Sequence, residues 1–270
     1  MAVHQWTPGE ERPLTARSVI ASTLLGVRPP RLRTSLLVRS CGLFGIRPGT
    51  ARVAISRMVA AGELATDGDG YRLGGGLRLR QDRQELSRRA ATRRWRADRD
   101  GWAMAVVAVE NRAAPDRSAL RRAALALRLA ELREGVWMRP DNLRSGGLPD
   151  AELVVAGQCD LFMSVRPGEA DDPALAARLW DLTGWADRAV ALEHAFDASE
   201  PALGAGDRAA LPHAFVLSAA VLRHLQADPL LPDALLPDDW PGAGLRRTYG
   251  SWSEAFDRVW ADWYRAERGD

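Results

Sequence analysis

Lysine is absent from the sequence of 270 residues, so every strongly basic side chain is an arginine. Because genome composition alone can favour arginine over lysine, the position of these charges is more informative than their chemistry. Residues 1–100 hold 19 arginines against 9 aspartates and glutamates, whereas residues 101–270 hold 18 against 26. The first part therefore carries a net charge of +10 and the rest −8. This asymmetry predicts that the amino-terminal part binds a polyanion.

Cysteine is scarce, and Cys41 and Cys159 lie far apart within apolar runs. The sequence has no CxxC motif and no close group of His and Cys, so we expect no metal site and no cofactor. It also lacks an uncharged apolar run of about 18 residues and a hydrophobic leader near its start. We therefore expect a cytoplasmic protein with reduced thiols and no membrane partner.

Three helices are predicted in the amino-terminal part of the chain. Apolar spacing and glycine stops place them at residues 15–26, 34–45 and 48–62, with Thr34 as the N-cap of the second. One face of the third helix is apolar and consists of Ala51, Ile55, Met58 and Val59. Its opposite face has two arginines and two smaller side chains: Arg52, Val53, Ser56 and Arg57.

An Asp-Gly-Asp-Gly turn within residues 63–73 predicts a β-hairpin after the third helix. Three helices followed by a hairpin are typical of a winged helix-turn-helix, whose recognition helix lies in the major groove. We therefore predict double-stranded DNA as the partner. The predicted DNA-binding residues are Thr34, Arg47, Thr50, Arg52, Val53, Ser56, Arg57, Arg72 and Arg78. A small helical subdomain with a solvated arginine face is the alternative interpretation.

Residues 77–100 have a composition that cannot build a core, because nine arginines lie between Leu77 and Arg99. This segment is predicted to be a linker that either adds phosphate contacts or forms a charged helix balanced by nearby acids. Residues 101–170 have the pattern of a strand, a helix and several short strands, one of them at residues 152–157 ("ELVVAG"). They predict a small ferredoxin-like α+β domain.

Residues 171–270 have helical spacing. The last helix has a stripe that we expect to be core, formed by Trp252, Phe256, Val259, Trp260 and Trp263, and a capping box of Ser251 and Glu254. Prolines in "DPLLPDALLPDDWPG" predict an ordered loop or a broken helix. The whole pattern predicts a multidomain α+β protein with a winged helix-turn-helix domain (1–76), a linker (77–100), a central domain (101–170) and a helical domain (171–270).

Several stretches in this order resemble the PaaX-like repressors, a family named for control of phenylacetic acid catabolism. They include "TARSVIASTLLG", "GIRPGTARVAISRMVAAGEL", "GWAMAVVAV", "LWDLTGW" and, most specific, "HAFVLSAAVLRHLQADPLLPDALLPDDWPG". The resemblance implies a dimeric bacterial repressor of a catabolic operon. It also implies a winged-helix head, a central domain similar to the CRISPR-associated Cas2 proteins and a helical C-terminal domain.

The resemblance further implies release from DNA by an aryl-coenzyme A thioester, which is phenylacetyl-CoA in the name-giving case. An acyl-CoA needs arginine for its phosphates and an apolar or aromatic slot for its acyl group. The candidate effector-binding residues are Trp137, Arg139, His213 and Arg223.

Two alternatives remain open. The similarity to Cas2 suggests a metal-dependent nuclease, which needs clustered carboxylates; the first central strand runs into Glu110, and no acidic partner is evident nearby in the sequence. The other alternative is a structural DNA-binding protein without a ligand switch. The sequence has no GxSxG motif and none of its four histidines has the context of a catalytic triad, so we expect no catalytic residue and no enzyme.

Overall fold

The computed structural model of the chain describes residues 14–89, 92–96, 98–143, 147–166, 168 and 171–268. Over these residues the protein is α+β, with two small sheets and a helical C-terminal region. The predicted absence of a leader concerns residues 1–13, which lie outside the described residues. No helix in the described part of the chain has the length and apolar character that crossing a bilayer requires.

The chain divides into two compact units. The first comprises Met1–Gln84, Leu192–Arg223 and Arg247–Asp270, and the second comprises Glu85–Ala191 and His224–Arg246.

Three helices and a three-stranded sheet form the amino-terminal part of the first unit. The helices are α1 (Ala16–Gly26), α2 (Thr34–Gly42) and α3 (Pro48–Ala60), and each packs against the other two. The strands are β1 (Arg31–Arg33), β2 (Leu64–Asp67) and β3 (Gly70–Leu73), and they form an antiparallel sheet in the order β1-β3-β2. Their core consists of fully buried aliphatic side chains, among them Ile20, Leu24, Leu37, Ile55 and Leu73.

Strand β1 has only three residues and gives no periodic signal in the sequence. It lies so close to β3 that a Cβ atom at Gly70 would stand 2.1 Å from the carbonyl oxygen of Leu32. The prediction that Thr34 caps α2 is wrong, since α2 begins at Thr34 and Arg33 is its N-cap. The backbone N–H and the hydroxyl of Thr34 both donate to the carbonyl of Asp69, at 3.2 and 3.1 Å, so the hydroxyl binds the hairpin instead of capping the helix.

Aromatic side chains dominate the C-terminal part of the first unit. They come from three helices, α8 (Leu182–Gly204), α9 (Leu211–Ala227) and α10 (Gly242–Arg268). The Phe196 and Trp252 rings lie 4.9 Å apart, and Phe215 and Trp260 lie 5.7 Å apart. The predicted stripe of α10 is core, as expected, with Phe256 half-buried and the other members buried.

The predicted capping box is wrong. Helix α10 begins at Gly242, so Ser251 and Glu254 lie inside it. Gly242 directly follows Trp240 and Pro241, where the proline-rich segment ends, and the backbone N–H of Leu245 donates to the carbonyl of Pro241 at 2.8 Å. Pro241 therefore lies just before the helix, where its missing N–H removes no hydrogen bond of the helix.

The second unit has the element order β-α-β-β-α-β. Its elements are β4 (Trp102–Val107), α5 (Ala114–Ala126), β5 (Ala130–Arg133), β6 (Val136–Pro140), α6 (Pro149–Ala156) and β7 (Cys159–Val165). The four strands form an antiparallel sheet in the order β5-β6-β4-β7.

The strand predicted at residues 152–157 is wrong, because most of this segment belongs to helix α6. Pro149 occupies its first turn together with Asp150 and Glu152, which is a favourable helix start. A short apolar run cannot distinguish a strand from a helix by spacing alone, and only Val155 of this helix is fully buried.

Each face of this sheet is partly covered, and the edge strand β7 is mostly exposed. Helices α5 and α6 pack against one face through a cluster that includes Ala105, Leu120, Trp137 and Val155. The other face packs against α7 (Asp172–Leu179) and the proline-rich segment through Trp102, Met138, Leu175, Leu231 and Leu235. That segment has one short 3-10 turn at Asp233–Leu235 and is an ordered loop, as predicted.

Candidate nucleic-acid interface

A tight turn separates α2 from α3. Gly45 has a φ of 69°, which glycine adopts without steric cost. The N–H of Ile46 donates to the carbonyl of Cys41 at 3.1 Å. Arg47 is then extended and Pro48 opens α3. The local sequence Gly-Ile-Arg-Pro therefore fixes where the second helix ends and where the third begins.

Helix α3 has one buried and one exposed face. Ala51, Ile55 and Met58 are buried against the rest of the unit. The side chains on its other side are exposed to solvent, namely Thr50, Arg52, Val53, Ser56 and Arg57. Val53 is 52% exposed, an unusual state for a valine in a helix that packs well on its other side.

The amino end of α3 also faces outward. Arg47 is the N-cap and makes no side-chain capping bond, and Gly49 and Thr50 in the first turn are exposed. The first N–H groups of a helix have no partner within the helix and carry a partial positive charge. Such an end can bind a phosphate oxygen directly.

Charge in this region is one-sided. Between Leu14 and Gly62 the sequence has eight arginines and no aspartate or glutamate. Five of these arginines bind groups of the protein. Arg17 pairs with Glu63, Arg31 and Arg33 pair with acids of the hairpin, Arg39 pairs with Glu267, and Arg28 donates to backbone carbonyls.

The remaining three are Arg47, Arg52 and Arg57. Over the described ranges, no carboxylate lies within ion-pair distance of any of them. They all belong to α3 or to its N-cap, and all are exposed. The arginines that lack an internal counter-ion are thus concentrated on the surface that would meet an external anion.

The acidic side chains at the tip of the hairpin are paired with arginines. Its acids Asp67 and Asp69 are held by Arg31, at 3.3 and 3.1 Å, and Asp69 also by Arg33 at 2.8 Å. Arg72 is exposed on β3, opposite Arg31 and Ala65 in the ladder. Without these pairs the two acids would repel a phosphate backbone, so the arginines of β1 remove that obstacle.

Arg78 is exposed on α4 (Gly75–Arg89). Two residues further on, Arg80 is half-buried, and burial together with the charges of Arg223, Arg17 and Arg83 lowers its pKa. Arg17, Arg83 and Arg223 are therefore close enough to Arg80 for their positive charges to act on it. Arg80 is not among the predicted DNA-binding residues, although its helical spacing from the buried Leu77 and Gln84 could have identified it.

Comparison with known proteins assigns both ends of the chain to one family. Residues 15–76 match the family described as PaaX-like protein, and residues 180–265 match the PaaX-like protein C-terminal domain. The chain is also 41% identical to the uncharacterized protein Rv0674 from Mycobacterium tuberculosis, a solved structure, with 91% of this chain and 97% of that chain covered and a TM-score of 0.65. The chain belongs to the PaaX-like family. No curated protein matches it.

PaaX-like proteins are DNA-binding transcriptional regulators. The matched range 15–76 contains every predicted DNA-binding residue except Arg78, which lies two residues beyond it. Membership therefore supports DNA binding by this chain, and the exposed face of α3 is the candidate surface. Which side chains contact DNA stays a prediction.

The candidate effector residues are two pairs, one in each unit. Trp137 and Arg139 lie two residues apart on β6, both almost fully buried, with the Arg121 guanidinium 5.6 Å from the centre of the Trp137 ring. His213 and Arg223 are both exposed on α9. Their separation along the chain corresponds to about 15 Å along the helix axis. Those two side chains are too far apart to bind the same small group.

Glu110, the residue considered for a nuclease, is exposed and follows the end of β4. Among the residues that the structure describes, no group of three or more His, Cys, Asp and Glu side chains could hold a metal ion.

Proposed function

We propose that this PaaX-like protein is a ligand-responsive repressor that binds a double-stranded DNA operator through a winged helix-turn-helix formed by residues 1–76. Helix α3 enters the major groove with Arg52, Val53, Ser56 and Arg57 towards the base edges. Arg47, Thr50, Arg72 and Arg78 contact the phosphates. Thr34, which was also predicted to bind DNA, is left out because its hydroxyl and its backbone N–H both donate to the carbonyl of Asp69. The observation that carries the proposal is that Arg47, Arg52 and Arg57 are exposed together without an acidic partner in the described part of the chain.

The proposed repressor is a dimer that reads two half-sites of a near-palindromic operator. Residues 77–100 connect each head to a ferredoxin-like, Cas2-like central domain at residues 101–170 and a helical domain at residues 171–270. The β-α-β-β-α-β order of the second unit supports a ferredoxin-like domain. These later parts set the spacing of the two heads.

An aryl-CoA effector of the phenylacetyl-CoA type releases the repressor from its operator. An effector acts only through a difference in affinity between the DNA-binding state and the released state. A ratio of about 100 between the two affinities corresponds to about 2.7 kcal/mol, which is within ordinary coupling energies. Titration calorimetry with phenylacetyl-CoA, and with free CoA as the control, tests this ligand class.

The DNA-binding proposal is tested with Arg52→Ala and Arg57→Ala in the full-length protein. Fluorescence anisotropy measures the affinity of each protein for a DNA fragment from upstream of the protein's own gene, over a range of salt concentrations. A side chain that reads guanine costs about 1–3 kcal/mol, concentrated on one base step. A side chain that contacts phosphate weakens all sequences equally and lowers the slope of log affinity against log salt by about 0.9.

Arg178→Ala is the matched control, since Arg178 is exposed at the end of α7 and should leave DNA affinity unchanged. Unchanged affinity in both the Arg52 and Arg57 variants would mean that α3 does not contact DNA. Circular dichroism checks that each variant is folded, which we expect because both side chains are exposed.

A further inference from the structure

A cavity of about 260 Å³ lies within the second unit, on the sheet face that α5 and α6 cover. Its lining includes two small side chains of β4, Ala103 and Ala105, and two large apolar side chains of β7, Leu161 and Met163. The two β7 side chains are 54% and 58% exposed, so the cavity is open to solvent on that side. Successive strand residues point to opposite faces, so these four side chains share one face. The space exists because α5 ends and α6 begins near it and because β4 has alanine where a larger residue would fill it.

Two arginines interrupt this apolar lining. Arg139 is 5% exposed, and its three hydrogen bonds go to neutral acceptors: the carbonyls of Pro140 and Leu127 and the side-chain oxygen of Asn142, the last at 2.6 Å. Asn142 is itself oriented, since its amide donates to the carbonyl of Leu230 at 2.9 Å. Arg128 is half-buried and donates to the hydroxyl of Ser87 at 2.9 Å.

Each cation has a carboxylate in its surroundings but not in contact with it, since the charge of Asp228 acts on Arg128 and that of Asp141 acts on Arg139. Within the described ranges, no carboxylate forms an ion pair with Arg128 or Arg139. Two acids also line the cavity, but Asp141 is bound to Arg93 at 2.7 Å, and Glu152 lies in the first turn of α6. The described lining therefore combines apolar walls with two cations that no carboxylate neutralises directly.

A buried cation without a counter-ion is costly, because the interior solvates charge poorly. Burial, together with the charge of Arg128, lowers the pKa of Arg139 to about 9, while Asp141 opposes the shift. Burial lowers the pKa of Arg128 to about 10, while Asp228 opposes the shift. An anion entering the cavity would offset this cost at both side chains. A guanidinium has five N–H donors, and Arg139 uses three of them in the hydrogen bonds described above.

The volume limits the size of such an anion. A dry apolar cavity of about 150 Å³ holds benzene. By this standard, the cavity of about 260 Å³ has room for roughly ten non-hydrogen atoms. A ring or a short chain with one carboxylate fits this space. The nucleotide of coenzyme A is several times larger and would have to lie outside it.

We propose that this cavity binds a compact apolar carboxylate, with the carboxylate at Arg128 and Arg139 and the apolar body against Ala103, Ala105 and Leu161. The ligand is the free acid and not its CoA thioester, because a thioester has no negative charge to place beside the two guanidinium groups. Arg139 is also a candidate residue for the CoA effector, but the free acid is a different ligand and its binding does not depend on that effector.

The test is titration calorimetry of the full-length protein with phenylacetate and octanoate, each of about ten non-hydrogen atoms, and with phenylacetamide. The amide has the shape of phenylacetate without its charge. A charge-assisted hydrogen bond is about twice as strong as a neutral one, so at least one acid should bind and the amide should bind about 10-fold or more weakly than phenylacetate. No heat from either acid, or equal binding of phenylacetate and its amide, overturns the proposal.

Two pairs of variants place the ligand. Leu161→Trp fills the cavity from an exposed position and should lower acid affinity at least about 10-fold, whereas Phe162→Trp, on the opposite face of β7, should not. Arg128→Gln should lower acid affinity by a similar factor, whereas Arg133→Gln, at an exposed position of β5, should not. Wild-type affinity in Leu161→Trp or in Arg128→Gln would show that the acid binds elsewhere.

Operator affinity of the same variants keeps this proposal apart from the proposed function. The cavity variants should bind operator DNA as the wild type does. Failure of every protein to bind DNA would refute the repressor and leave the acid titrations valid. Conversely, DNA binding with no acid affinity in the wild type would refute only the cavity proposal.

Discussion

Acid should destabilise the second unit through His224. This side chain is 7% exposed and stacks on the Trp185 ring, with centroids 4.2 Å apart and planes at 19°. Its Nε2 is buried and has no hydrogen-bond partner among the described residues. Burial, with a contribution from Arg188, lowers the pKa of His224 from 6.5 to about 4, while Asp228 opposes the shift.

The direction and size of this loss of stability follow from proton linkage. The folded pKa lies below the unfolded one, so between about pH 6.5 and pH 4 the unfolded chain binds a proton that the folded chain excludes. The stability is therefore fully present above about pH 6.5 and is lost as the pH falls towards 4. A shift of about 2.5 units at about 1.36 kcal/mol each gives a total of about 3 kcal/mol, of which roughly 2 kcal/mol is lost between pH 7 and pH 5.

Urea unfolding at pH 7 and pH 5 measures this loss, and His224→Phe isolates it. Phenylalanine keeps an aromatic ring on Trp185 and cannot take up a proton, so the variant should lose about 2 kcal/mol less than the wild type between these two pH values. Its absolute stability at pH 7 does not enter the comparison. His213→Phe, at an exposed position of α9, is the control and should keep the wild-type loss. An equal loss in His224→Phe and the wild type would refute the argument.

Two further predictions concern stability. The half-buried Arg246 forms an ion pair with the buried Asp228 at 2.7 Å. Asp228→Asn removes that carboxylate and should cost about 3 kcal/mol in urea unfolding, whereas Glu85→Gln, in the exposed pair with Arg89, should cost less than about 0.5 kcal/mol. Gly70→Ala places its Cβ against the backbone of β1, whereas Gly42→Ala meets nothing within 4 Å. In thermal unfolding, Gly70→Ala should lower the free energy of unfolding by about 2 kcal/mol, and Gly42→Ala should not lower it. Wild-type stability in either test variant would contradict the corresponding contact.

The elements with a strong period could be predicted from the sequence. Helix α3 and the stripe of α10 repeat over three or more turns, so their buried faces were evident. Helix α6 was missed because "ELVVAG" is short and apolar, and only tertiary packing decides between a strand and a helix there. Strand β1 was missed for another reason: Arg31–Arg33 pair with β3 over a distance in sequence that no local pattern reports.

The candidate DNA-binding surface and the cavity also differ in how well the sequence predicts them. The exposed arginines of α3 could be named in advance because helical geometry alone separates them from Ile55 and Met58. The cavity could not, although Arg139 was named as an effector candidate. Its space depends on where α5 and α6 end above β4, and its charge depends on the absence of a carboxylate that a sequence cannot place.

An arginine count says little about function in a chain without lysine, whereas the partner of each arginine says more. Arg31 and Arg246 have acidic partners and hold structure together. Arg52 has none in the described part of the chain but is solvated by water, so its charge costs the fold almost nothing and remains free to attract DNA. Arg139 has none there either and is buried, so its charge costs stability until an anion arrives. The fold would be expected to keep such a cation only where binding that anion is useful, which is why the cavity, and not only the basic surface, is expected to have a ligand.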